Sequence, residues 1–254
     1  MNWGHYDWQK EDQLYNPKRR VDNKISWQRP HIIGSFRSVK LKRDVEFHSL
    51  GERLFYYFLE LDSDVIRYYV QPVEVGIPYL NQDGQKMEWM HVPDVLVYRN
   101  GYNPQLYQIK ESPTEKHSQT FERCNKCCTN YASCNGWRYS VIHPKTLPEI
   151  IQSNLNLLFG FLKTRKNFAL LEEQVLLKVE FHQELSIIDL AKSFTGKWDF
   201  RIVLPVIYHL IAAGKLKTNL NDPLNEHCLL QRGNILSGLN EYLTQIEDGK
   251  YEAS

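Results

Sequence analysis

An apolar run that opens on Pro93-Asp94, continues through Val95-Leu96-Val97-Tyr98, turns at Asn100-Gly101 and returns through Leu106 to Gln108-Ile109-Lys110 constrains this chain more than any other stretch. Short segments rich in Val, Leu and Tyr with Asn-Gly between them read as two strands joined by a turn. Alternate residues of a strand share a face, so Gln108 and Lys110 point the same way, and a neighbouring strand brings Asp94 beside them. A carboxylate, an amide and an ammonium group are thereby expected at one end of two adjacent strands.

The flanking elements place that pair inside a fold. Ser49-Leu50-Gly51-Glu52 matches a capping box and is followed by Leu50, Leu54, Tyr57 and Leu61 at helical spacing, which predicts a helix from about 49 to 61. Val65 to Leu80, interrupted by Pro72 and Pro78, reads as one or two strands that end in a turn at Asn81-Gln82-Asp83-Gly84. After Lys110, Ser112-Pro113-Thr114-Glu115 supplies an N-cap, a first-turn proline and an acid, predicting a helix that runs to about Asn135 and stops at Gly136. Arg138 to His143 returns as a strand. Helix, three strands, helix, strand is the minimal order of a restriction-endonuclease-like α/β core of the PD-(D/E)xK kind, and it places Glu52 on the first helix and Asp94, Gln108 and Lys110 on adjacent central strands.

Composition narrows the setting. The 254 residues, 42% of them hydrophobic, suffice for one large domain or two modest ones. Five cysteines, an odd number, argue against a disulfide framework, no leader-like segment is read at the start, and no apolar run approaches the roughly 20 residues of a membrane span. A cytoplasmic, DNA-associated protein without a membrane segment is expected. The net charge of +1 hides a division: residues 16–43 carry nine Lys and Arg against Asp22 alone, a local charge of +8. This basic N-terminal segment, with Trp27, His31 and Phe36 interleaved, suits a phosphate backbone, although a solvated arm has the same composition. The expected DNA contacts are Lys18, Arg19, Arg20, Arg37, Lys40, Lys42 and Arg43, with His91 near the strand pair.

Hydrolysing a phosphodiester requires an activated water, neutralisation of the non-bridging oxygens and help for the leaving oxygen, and oxygen-held divalent cations supply all three. Glu52, Asp94, Gln108 and Lys110 are the expected catalytic set. Asp94 is the main carboxylate ligand, Glu52 a second from the helix, Gln108 offers a neutral amide oxygen, and Ile109 completes the metal set; Lys110 orients the attacking water or stabilises its deprotonated form. Magnesium is the expected ion, with manganese able to substitute. Each residue also has a plainer reading: Glu52 as a capping-box acid, Asp94 as a strand-start turn residue, Gln108 and Lys110 as a solvated strand face, His91 as a packing histidine. The order and spacing of the set favour the site. Cys124, Cys127, Cys128 and Cys134 suggest zinc at first sight, yet on one continuous helix they form stripes with Phe121 and Tyr131 that cannot wrap a tetrahedral ion.

The remaining sequence reads as a second domain. A helix over 147–163 and the polar segment Lys163-Thr164-Arg165-Lys166-Asn167 lead to three helical patterns: Phe168 to Gln183, one capped by Ser186, and one through Leu204, Ile207, Tyr208 and Ile211 that Gly214 stops. Lys215 to Leu220 and Cys228 to Gln231 are candidate strands. Three helices and a hairpin are the plan of a winged-helix α+β domain, which sets the expected domains at 1–165 and 166–254. The third helix has few basic residues, Arg201 and His209, so a protein partner is as plausible as a DNA groove.

These residues resemble a known family: TnsA, the endonuclease subunit of heteromeric cut-and-paste transposases, including those of CRISPR-associated transposons. The resemblance rests on Arg37-Ser38-Val39-Lys40, Phe47 to Glu52, Gln71-Pro72, Val92-Pro93-Asp94, Gln108-Ile109-Lys110 and Leu210 to Leu216. The Gln-x-Lys form is more telling than the fold, because many related nucleases carry Glu-x-Lys there. The resemblance implies that Glu52, Asp94, Gln108 and Lys110 cut the 5′, non-transferred strands of double-stranded DNA at transposon ends. It further implies a DDE transposase, TnsB, that cuts and joins the 3′ ends, and an ATPase, TnsC, that engages the C-terminal domain. A free-standing restriction or repair nuclease and a non-catalytic winged-helix adaptor are the competing functions.

Overall fold

The computed structural model describes residues 3, 5–18, 34–112, 118–166, 168–182 and 184–237. They divide into two compact units, one drawn from residues 1–53 and 64–144, the other from 54–63 and 145–245. Of the expected basic segment, Arg19 and Arg20 lie outside the described residues, as do Trp27 and His31.

In chain order the first unit holds helix α1 (Gln9–Leu14), strands β1 (Gly34–Arg37) and β2 (Asp44–Phe47), and the start of helix α2 (Leu50–Leu61). It continues with β3 (Val65–Val70), β4 (Val75–Leu80), β5 (Lys86–His91), β6 (Val95–Arg99), β7 (Gln105–Ile109), helix α3 (Gln119–Cys134) and β8 (Arg138–Ile142). Four strands form a mixed sheet in the order β3-β6-β7-β8. The first three are mutually antiparallel, and β8 lies parallel to β7 after the crossover through α3. Val95, Leu96, Val97 and Tyr98 are all buried, which is why this strand is apolar without alternation: it is central and covered on both faces.

Register decides what shares a face. Tyr69, Leu96, Leu106 and Tyr139 stand in one row across the sheet, and Cys124 and Cys128 of α3 join them in a core with Val75 and Ile77. The cysteines therefore pack as small apolar groups, and all five in the chain are free thiols. The N-terminal segment adds to the same core through Tyr15. Asp12 of α1 receives Arg67 Nε at 2.9 Å and the Tyr69 hydroxyl at 2.8 Å.

Two local expectations change. Helix α3 begins at a different serine: Ser118 is its N-cap and accepts from Phe121 N at 3.2 Å, while residues 113–117 lie outside the described set. A strand that the sequence does not announce is β5 (Lys-Met-Glu-Trp-Met-His), which is mostly exposed and alternates only over Lys86 to Trp89 before Met90 breaks the pattern. It pairs residue for residue with β4, from Val75 opposite His91 to Leu80 opposite Lys86.

The second unit takes the rest of α2, then α4 (Glu149–Phe159), α5 (Phe168–His182), β9 (Leu185–Ser186), α6 (Ile187–Lys192), α7 (Phe200–Ala212), β10 (Leu216–Lys217) and β11 (Leu229–Arg232). Tyr57 of α2 stacks on Phe159 of α4 with ring centroids 3.7 Å apart. Ser186 caps α6 by accepting from Asp189 N, and Asp199 caps α7 by accepting from Arg201 N. Gly214, at φ +71°, supplies the left-handed turn after α7. The three short strands form an antiparallel sheet in the order β10-β11-β9. Asn154 is buried in α4 and fully used: its Nδ2 donates to Leu220 O and Asp222 O, and its Oδ1 accepts from Leu224 N, each at 2.9 Å.

Among the described residues, no helix is long and apolar enough to cross a membrane.

Candidate active site

The sheet register continues past the strand ends and sets Asp94 between Gln71 and Gln108. Gln71 N donates to Asp94 O at 2.8 Å, and Asp94 N donates to Tyr107 O at 3.0 Å. With the backbones so fixed, the side chains meet. Gln108 Nε2 and Ile109 N, the latter at 2.6 Å, both donate to Asp94 Oδ2. The other end of the Gln108 amide, Oε1, lies 2.8 Å from His91 Nε2. An amide oxygen only accepts, so His91 presents a protonated Nε2 in this arrangement. Gln108 is itself buried, at 8% exposure, which makes its two partnerships obligatory rather than incidental.

Lys110 extends the same face. Its N–H continues the ladder to Ile142 O at 2.9 Å, and its ammonium sits 5.3 Å from the centre of the Phe121 ring, a cation–π contact with α3. Glu52 occupies the first turn of α2, where its amide donates to Ser49 Oγ at 3.1 Å and its Oε2 accepts from His48 N at 2.9 Å. This is the reciprocal pattern of a capping box, with the carboxylate taken by His48 in place of Ser49. The turn meets the end of β7: a Cβ added to Gly51 would lie 3.3 Å from Glu111 Oε1 and 3.7 Å from Ile109 Cγ2. The turn that bears Glu52 therefore adjoins the end of β7.

Two residues that sequence reasoning left without a role complete the polar row. Gln71 is buried, adopts φ +47°, and brings its Nε2 to 3.2 Å from His48 Nε2. A left-handed glutamine is strained and persists only where its surroundings hold it. Glu52, His48, Gln71, Asp94, Gln108 and His91 thus form a chain of contacts through side chains and main chain. A polar residue before a proline was the only sign of Gln71 in the sequence, and a positive φ leaves no trace there.

The described basic residues differ in how free their charges are. Lys18 Nζ donates to Leu14 O, closing the end of α1, and its amide donates to Gln71 O. Lys40 Nζ donates to Val65 O at 2.5 Å, and Arg43 lies 5.9 Å from the Tyr69 ring centre. Arg37 pairs with Asp44 across the β1–β2 hairpin, both exposed, and Lys42 is an exposed residue in the turn. A cavity of about 450 Å³ lies between the hairpin and the polar row, lined in part by Arg43, Glu46, His48 and Gln71.

The donor chemistry fits a hard divalent cation. Asp94, Glu52 and the Gln108 amide offer oxygen, as magnesium and manganese prefer. Cys128, a soft candidate on α3, has its thiol pushed up to about 12 by burial, with Cys124, Cys127 and Asp94 adding to the effect, so it stays neutral. No group of three His, Cys, Asp or Glu side chains able to hold a metal occurs among the described residues. Divalent ions of this class supply charge neutralisation and an activated water.

No curated protein matches the chain. Residues 62–143 match the sequence model of a family described as TnsA-like endonuclease N terminal. The matched span contains Asp94, Gln108 and Lys110 and begins ten residues after Glu52. The mixed sheet with its helices fits the restriction-endonuclease-like α/β fold of such a domain, and residues 62–143 are similar to the N-terminal endonuclease domain of TnsA-like proteins.

Proposed function

We propose that this chain is a magnesium-dependent endonuclease that cuts the 5′, non-transferred strands at transposon ends, working with a TnsB transposase and a TnsC ATPase. The TnsA-like endonuclease domain supports a nuclease role in transposition. The observation that carries the finer reading is the Asp94–Gln108 pair, side by side at the end of two central strands with Lys110 on the same face. Asp94 and Gln108 hold the scissile phosphate's cation, Ile109 contributes its carbonyl, and Glu52 adds a carboxylate from the helix turn beside the strand end. Lys110, whose ammonium lies over the Phe121 ring, positions the attacking water. Arg37, Lys40, Lys42 and Arg43 lie on the hairpin whose cavity borders the row and track the DNA backbone, joined by Lys18, Arg19 and Arg20.

The C-terminal domain of the proposal, 166–254, is a winged helix that docks on a protein. Its order of helix, strand, two helices and two strands supports the winged-helix reading. The third helix supports a protein partner: His209 is buried with Nδ1 2.7 Å from Phe161 O, while Phe200 and Ile202 are exposed beside Arg201.

The test is Asp94→Ala in a reconstituted reaction with TnsB and TnsC. Cutting of the 5′ strand should fall by more than about 10²-fold while 3′-end joining persists, shifting products toward cointegrates. Intact excision would remove Asp94 from the site. Cleavage by the purified chain alone, without partners, would favour the free-standing nuclease.

A further inference from the structure

Glutamine differs from glutamate in having unlike ends, and the structure fixes which end faces Asp94. Gln108 turns its NH₂ to Asp94 Oδ2 and its oxygen to His91 Nε2. In this setting Asp94 Oδ2 receives two N–H donors, from Gln108 and Ile109, where a cation would need bare oxygen. Rotating the amide by half a turn presents its oxygen beside the carboxylate and its NH₂ to His91. His91 must then accept at Nε2, so its proton resides on Nδ1; the ring exchanges one nitrogen's proton for the other's through solvent and gains none.

We propose that His91 is a positioning residue that selects between these two settings, an orientation gate on the cation site. The proposal rests on the reading of Asp94 and Gln108 as the metal-holding pair. His91 is suited to this task by its placement. It ends β5, paired with Val75 of β4, and only Val92-Pro93 separates it from Asp94, so the hairpin ladder and this short link fix where its ring meets Gln108. Trp89, two residues earlier on the same face, sets its ring edge-on to the imidazole with centroids 5.8 Å apart and limits its rotation. Gln108 is buried, so an amide without His91 to pair with its NH₂ loses the setting that turns oxygen toward the ion. A glutamate at 108 has oxygen at both ends and needs no such selection.

The experiment measures Mn²⁺ binding to the full chain by water-proton relaxation, in wild type, His91→Ala, Gln108→Glu, the double variant and Asp94→Ala, with thermal melts to verify folding. His91→Ala should weaken Mn²⁺ binding about tenfold, the low end for losing a partner that orients a metal ligand. In the Gln108→Glu background the same change should cost less than about twofold, because there is no amide left to orient. Equal losses in both backgrounds, or wild-type binding by His91→Ala, would overturn the gate while leaving the site intact. Unchanged Mn²⁺ binding by Asp94→Ala would instead sink the metal-site reading, and the gate with it. If His91→Ala fails to fold, His91→Leu serves in its place, since it fills the space with no hydrogen-bonding group, and the same background dependence is required.

Discussion

At the level of single residues, the sequence offers Glu52 as both cap and catalyst, and the structure explains how one side chain serves the first task. Its Oε2 takes the His48 amide while its own amide goes to Ser49. Glu52→Gln separates the two, because an amide oxygen still accepts from His48 but the charge is lost. Thermal stability should change by less than about 0.5 kcal/mol while strand cutting drops at least about tenfold; a drop in neither would leave Glu52 as a cap alone. Gln71 offers a second comparison. Glycine relieves its left-handed strain and alanine does not, yet both remove the link to His48. Gln71→Ala should therefore be less stable than Gln71→Gly by about 1 kcal/mol in denaturant melts. Asn154 shows the same principle in the second unit. Asn154→Ala strands three backbone groups and should cost about 2–4 kcal/mol, whereas half-buried Gln152 gives its amide only to Lys145 O and Leu147 O and should cost less.

Among elements, α3 shows why a cysteine-rich motif need not bind metal. Helical spacing alone set Cys124 and Cys128 on one stripe, and the sheet made that stripe a core. Burial raises the Cys128 thiol to about 12, and burial likewise raises the Tyr69, Tyr98 and Tyr139 hydroxyls. A folded-state pKa above the unfolded value favours the protonated native form, so this contribution is complete below the ordinary thiol range. It declines as pH climbs from about 9 toward 12. Melting temperature should fall across that window, and Cys128→Ala should soften the fall; a profile identical to wild type would show that Cys128 does not take part. The strands tell a different story. β6 is legible because a buried central strand is apolar almost throughout, and β7 because Leu106 and Tyr107 follow the turn that closes β6, whereas β5 is hidden because an exposed hairpin strand carries no such mark. His91 is held on that strand, so the sequence places it near the site and only the fold makes it a partner of Gln108.

For the whole molecule, the chain is not divided where composition changes. Leu54–Ser63 belongs to the unit that contains residues 145–245, although the preceding residues of the same helix belong to the first unit. Cutting the chain after Pro144 should thus leave Tyr57, Leu54 and Leu61 without the unit that buries them, raising dye binding to exposed apolar surface and lowering the melting temperature by several degrees. A truncated chain with wild-type melting would show that α2 is self-sufficient. Propensity, caps and apolar runs act over a few neighbouring residues, which is why the α2 start, the β6–β7 pair, the Ser186 cap and the Gly214 stop could be read from the letters alone. The adjacency of Asp94 and Gln108 followed as well, since one turn joins their strands. The positive φ of Gln71, the route from Glu52 through His48, the setting of the Gln108 amide and the sharing of α2 between units could not be read in this way. Each depends on contacts between segments far apart in sequence, and those arise only when the chain has packed.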